Sequence, residues 1–114
     1  MNVILHEESG ISTLLLDGRI DTVGAHALDQ AFKQALAAGR HSMVLDMAQV
    51  DYVSSAGLRT LADALSQSRE NGGDIKLAGV NPKVLRVFRI IGFDRFFSIH
   101  ESVAAAAGEF APAP

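Results

Sequence analysis

The chain has 114 residues, 48% of them hydrophobic and 20% charged, with a formal net charge of −3. That length suits one domain with a real core, and the excess of acid over base disfavours non-specific binding to nucleic acid. No cysteine is present, which excludes disulfides, thiolate catalysis and cysteine metal sites and is compatible with the cytosol.

The first residues hold no basic stretch followed by an apolar core, so no signal peptide is expected. No apolar run approaches the ~20 residues that a membrane span needs, so no membrane insertion is expected. Val3, Leu5 and Glu7 begin an extended segment, and Glu8-Ser9-Gly10 supplies a turn. Ile11 to Leu16 predicts a second strand, with Leu14-Leu15-Leu16 apolar on both faces as in a strand buried on both sides. After Asp17-Gly18, either Asp21 or Thr22 caps a helix. Its Ala27, Leu28, Ala31, Phe32, Ala35 and Leu36 recur at helical spacing, and Gly39 ends it.

Ser42 to Met47 predicts a third strand, and a second helix then runs to about Glu70, stopped by Asn71-Gly72-Gly73. Ile75 to Ala78 predicts a fourth strand. Asn81-Pro82 reads as a cap followed by proline at the first helical position. Val84, Val87, Phe88 and Ile91 line one face of this third helix, and Gly92 ends it. Phe96, Phe97 and Ile99 predict a short last strand, and Ser102 to Ala107 an alanine-rich helix. The tail, Ala111-Pro112-Ala113-Pro114, is expected to be disordered. Residues 1–110 then form a single domain of strand–helix alternation, which implies a mainly parallel sheet.

The stretch between the third strand and its helix reads Asp51-Tyr52-Val53-Ser54-Ser55-Ala56-Gly57-Leu58-Arg59. It places two serines where a loop becomes a helix. A serine there can cap the helix through its side-chain oxygen. It can also hold an anion, because that end carries partial positive charge, or accept a phosphate.

Sites for other chemistry are missing. His6, His26, His41 and His100 are scattered, with no pair at ligand spacing on one helix, so no metal site is expected. Neither G-x-x-x-x-G-K-[ST] nor G-x-G-x-x-G occurs, and Ser54-Ser55-Ala56-Gly57 is not a G-x-S-x-G elbow. No base is nominated for a hydrolase. Neither an enzyme activity nor a cofactor is expected.

Over almost its whole length the chain resembles the STAS domain of bacterial anti-sigma factor antagonists. The resemblance rests on Val53-Ser54-Ser55-Ala56-Gly57-Leu58, on Gly18-Arg19-Ile20-Asp21 after the second strand and on Val44-Leu45-Asp46 in the third. Val80-Asn81-Pro82 through Phe88, then Ile91-Gly92-Phe93, match the two ends of the family's third helix. The implied fold is α/β, a mixed, mainly parallel sheet of four to five strands with about four helices packed against it.

The implied function is partner switching. The unphosphorylated antagonist binds an anti-sigma factor that is also a serine kinase of GHKL type, releasing the sigma factor. Phosphorylation ends the binding, and a PP2C-type phosphatase restores it, all in the cytoplasm. Where the family motif reads Asp-Ser-Ser/Thr-Gly-Leu, its first serine is modified. Alignment on Gly57-Leu58 puts that serine at Ser55, with Ser54 as the alternative acceptor and Ala56 in place of the second hydroxyl residue.

Around it, the resemblance makes Arg19, Asp21, Thr22, Ser54, Ala56, Gly57, Leu58 and Arg59 candidate partner contacts. Several of these have plainer roles open to them: Asp21 a helix cap, Gly57 a packing glycine, Leu58 a core residue, and Arg19 and Arg59 solvated charges. Two other functions stay open: an interaction module of another signalling or transport complex, and a protein that binds a small ligand or nucleotide.

Overall fold

The computed structural model describes residues 1–110, so the tail at 111–114 lies outside the described residues. One five-stranded sheet has the order β1-β2-β3-β4-β5. The strands are β1 (Asn2–Glu8), β2 (Ile11–Asp17), β3 (Ser42–Gln49), β4 (Asp74–Ala78) and β5 (Ser98–His100). β1 and β2 form an antiparallel hairpin, and the other neighbours pair in parallel through helical crossovers. The helices are α1 (Thr22–Ala37), α2 (Ser55–Glu70), α3 (Pro82–Ile91) and α4 (Val103–Gly108), with a 3-10 turn at Phe93–Arg95.

Register explains the core. Leu14 pairs with Leu45, and Leu45 with Leu77, so alternate residues of three strands point to one face. Leu14, Leu16, Met43, Leu45, Met47, Ile75 and Leu77 are each no more than 1% exposed there. Leu28 and Phe32 of α1 join them in a single cluster with Leu61 and Leu65 of α2 and Val84 and Phe88 of α3. Each such side chain contributes about 1.5–3 kcal/mol by leaving water.

The opposite face is much less covered. There Val44, Ala78 and Ala106 make a small second cluster, because among the described residues only the short α4 lies on that side, over β3, β4 and β5. Leu15 points that way and is half-buried, so β2 is not sealed on both faces as its triple leucine suggests.

Two local expectations are corrected. Phe96 and Phe97 do not belong to the last strand. Gly92, in the left-handed region with φ 82°, ends α3, and the chain makes its 3-10 turn before β5 begins at Ser98. Phe97 is used as core instead: its ring lies 5.5 Å from Phe93, which lies 5.6 Å from Phe88. In α3, Val84 and Phe88 are buried, but Val87 and Ile91 are 39% and 43% exposed. The buried stripe of α3 is thus one residue wide, an i, i+4 pair, and its flanks meet no second layer among the described residues.

Candidate functional site

The loop after β3 is held at three points before the serines are reached. Val50 is buried, and its carbonyl accepts a 2.8 Å bond from the Asn81 side chain at the start of α3. Ile20 and Val53 form an isolated parallel bridge. The Ile20 N–H donates to the Tyr52 carbonyl at 2.9 Å, and the Ser54 N–H to the Ile20 carbonyl at 2.7 Å.

The bridge sets the next residue of each chain side by side, and both are helix caps. Asp21 Oδ1 accepts from the Gly24 N–H at 2.8 Å to start α1. Ser54 Oγ accepts from the Gly57 N–H at 3.1 Å to start α2. Two helix N-termini, each with partial positive charge, therefore open at the same end of the sheet. Asp21 takes the α1 cap, and Thr22 is the exposed first residue of that helix.

The two serines have separate roles in the local geometry. Ser54 is half-buried and occupied as a cap, whereas Ser55 is the first residue of α2 and exposed. Among the described residues, no hydrogen bond occupies its hydroxyl.

The neighbouring candidates divide by the helical period. Ala56 is half-buried, and its carbonyl accepts from Thr60 Oγ1 at 3.0 Å. Gly57 faces inward: a Cβ there would stand 2.5 Å from Ile20 Cγ2 and 3.0 Å from Val53 Cγ1. Leu58 is half-buried against the main core, and Arg59 is exposed. Arg19 lies across the Tyr52 ring, 4.3 Å from its centroid. The site thus gathers Arg19, Asp21, Thr22, Ser54 and Ser55 at the surface, while Gly57 serves the packing beneath.

Sequence reasoning missed two residues that shape this edge. Tyr52 gives Arg19 its resting place; an aromatic two residues before a helix cap was the available signal. The sequence marks Asn81 as a cap alone. It does cap α3, its Oδ1 accepting from Val84 N–H at 2.9 Å, but its amide also fastens the loop through Val50.

The histidines stay apart, and no cluster of three potential metal ligands occurs among the described residues. His100 Nε2 is hydrogen-bonded to Ser98 Oγ at 2.6 Å on β5, with no carboxylate bonded to that ring among the described residues. No helix among them is long and apolar enough to cross a membrane.

The STAS domain model matches residues 2–106. BtrV of Bordetella bronchiseptica, named as an anti-sigma factor antagonist, is 32% identical over 110 residues, or 96% of this chain and 95% of its own. RsfB of Mycobacterium tuberculosis, an anti-sigma-F factor antagonist, is 25% identical over 114 residues, covering 95% of this chain and 91% of its own. The crystal structure of an anti-sigma factor antagonist from Thermotoga maritima superposes with a TM-score of 0.89 over 94% of this chain and 92% of its own. At 22% identity that is a likeness of fold. A family model spanning nearly every described residue and a relative matched almost end to end agree: the chain belongs to the STAS domain family.

Proposed function

We propose that the protein is an anti-sigma factor antagonist of the partner-switching kind, with Ser55 as its phosphoacceptor. The observation that carries this reading is the unequal state of two adjacent serines. Ser54 is committed to the Gly57 N–H, and Ser55 stands exposed at the helix start. The names of the relatives and the resemblance of the whole motif support it.

In this reading the unmodified chain binds an anti-sigma factor that is a GHKL-type serine kinase and releases the sigma factor. The kinase phosphorylates Ser55, and a PP2C-type phosphatase reverses the step. The chain is a cytoplasmic substrate and docking module, with no catalytic residue or cofactor of its own. Arg19, Asp21, Thr22, Ser54, Ala56, Leu58 and Arg59 border the docking edge, and Gly57 keeps it in shape.

A phosphate adds roughly −1.5 to −2 charges and three acceptor oxygens. The fold tolerates them, because the first N–H groups of a helix favour an anion and Ser54 keeps the cap. The cost falls on the interface, where a bulky, hydrated dianion replaces a small hydroxyl. A loss of ~3 kcal/mol there weakens binding more than a hundredfold.

The test is to incubate the chain with its cognate kinase and ATP and map the modified residue by mass spectrometry. One phosphate on Ser55, retained in Ser54→Ala and absent from Ser55→Ala, is expected. A phosphate on Ser54, or none on either serine, overturns the assignment.

A further inference from the structure

The cations of this acidic chain are unevenly placed. Of its ten lysines and arginines, Lys33, Arg40, Arg69 and Lys76 sit in ion pairs. Arg19, Arg59, Lys83, Arg86, Arg89 and Arg95 pair with no carboxylate among the described residues. Three of the six lie on α3, whose ten residues, PKVLRVFRII, include no acid. Arg19 rests on Tyr52 beside the serines, and Arg59 is one helical turn beyond Ser55.

Exposed apolar side chains gather in the same place. Tyr52 is 38% exposed, Val87 39% and Ile90 75%. Tyr52 and Val87 share the walls of a cavity of about 240 Å³ with Val53, Lys83, Val84 and Asp51, the one acid in its lining. The cavity is lined by both the loop before Ser55 and α3, and the bond from Asn81 to the Val50 carbonyl fastens the two together. Helix α1, on the other side of the serines, offers exposed Val23, but its one lysine or arginine is Lys33, which is paired with Asp29.

We infer that the docking surface for the Ser55-directed partner continues from the serine loop over the Tyr52–Val87 cavity onto α3, and that the partner meets it with an apolar centre and an acidic rim. This rests on the phosphoacceptor reading of Ser55. A specific interface covers about 800 Å², roughly 20–30 residues, on each partner, and the serine loop is much shorter than that. Unpaired cations around an apolar centre complement acids around an apolar centre. The same complementarity gives the switch its sign. A phosphate on Ser55 would bring two negative charges against an acidic surface, and like charges brought together in an interface oppose binding.

The experiment uses the purified kinase that phosphorylates this chain, with Kd measured for the intact protein at 50 and 300 mM salt. Lys83→Glu/Arg86→Glu should raise Kd at least tenfold at low salt and flatten its salt dependence. Ile90→Ser should raise it at least threefold at both salts. Circular dichroism of each variant should match wild type, since all three side chains are exposed. Ser55→Asp serves as the reference. If it weakens binding while both α3 variants stay within twofold of wild type, the α3 surface is refuted and the serine switch stands. The same holds if Val23→Ser is the variant that weakens it. If Ser55→Asp itself binds like wild type, the switch reading fails first.

Discussion

Gly57 lies directly on Ile20. A methyl group at Gly57 would approach Ile20 Cγ2 to 2.5 Å, and Ile20 is fully buried, with a β-branched side chain that has little room to turn. Alanine normally gains up to ~1 kcal/mol over glycine inside a helix. Here overpacking, at ~1–3 kcal/mol, outweighs that gain. Gly57→Ala is therefore expected to lower stability by about 1–2 kcal/mol in urea unfolding. A variant as stable as wild type would show that α2 can shift away from Ile20.

The two serines should separate in a stability measurement as they do in space. Ser54→Ala removes the oxygen that holds the Gly57 N–H and is expected to cost about 1 kcal/mol. Ser55→Ala removes a hydroxyl with no partner among the described residues and should stay within ~0.5 kcal/mol of wild type. Equal costs for the two, read from chemical denaturation, would contradict this division.

The phosphate mimic should act on binding and leave the fold alone. Ser55→Asp places a carboxylate in the first turn of α2, where the helix dipole contributes a few tenths of a kcal/mol in its favour. The melting temperature should hold or rise slightly. Affinity for the kinase should fall by about a hundredfold, as titration calorimetry would report. A drop in melting temperature alongside lost binding would mean that the switch works by damaging the domain.

Asn81 is expected to matter beyond its cap. Asn81→Asp keeps an acceptor for the Val84 N–H and loses the donor to Val50; Asn81→Ala loses both. The alanine variant should cost about 2 kcal/mol and the aspartate about 1, since each lost bond is worth about 1 kcal/mol. In amide hydrogen exchange, both variants should loosen residues 50–53. Protection there unchanged from wild type would mean that the Ile20–Val53 bridge alone holds the loop.

Most of the architecture could be read from local chemistry. Alternating strand residues such as Met43 and Leu45 and the spacing of Leu28 and Phe32 reflect side chains that meet one face of a neighbour, a property short windows record. The cap at Asn81 was equally plain, because a capping side chain bonds within three residues of itself. What depends on distant partners was not legible. Nothing within Ser54-Ser55 says which serine is the cap. That is decided by Ile20, more than thirty residues earlier, whose carbonyl holds the Ser54 N–H and fixes where α2 begins. Phe96 and Phe97 look like strand residues by type, yet the turn after Gly92 sends Phe97 to the core and leaves Phe96 exposed. The exposure of Val87 and Ile91 depends on what fails to cover α3, which no helical pattern encodes.

The bond between the Asn81 amide and the Val50 carbonyl has a consequence for timing. It ties the segment ahead of the serines to a helix anchored by Phe88, so this margin of the molecule is already shaped before anything arrives. A rigid margin needs no slow rearrangement on contact. Under the proposed switch, electrostatically guided collision then governs how fast a complex forms, and the lifetime of the phosphate governs how long the protein stays out of one.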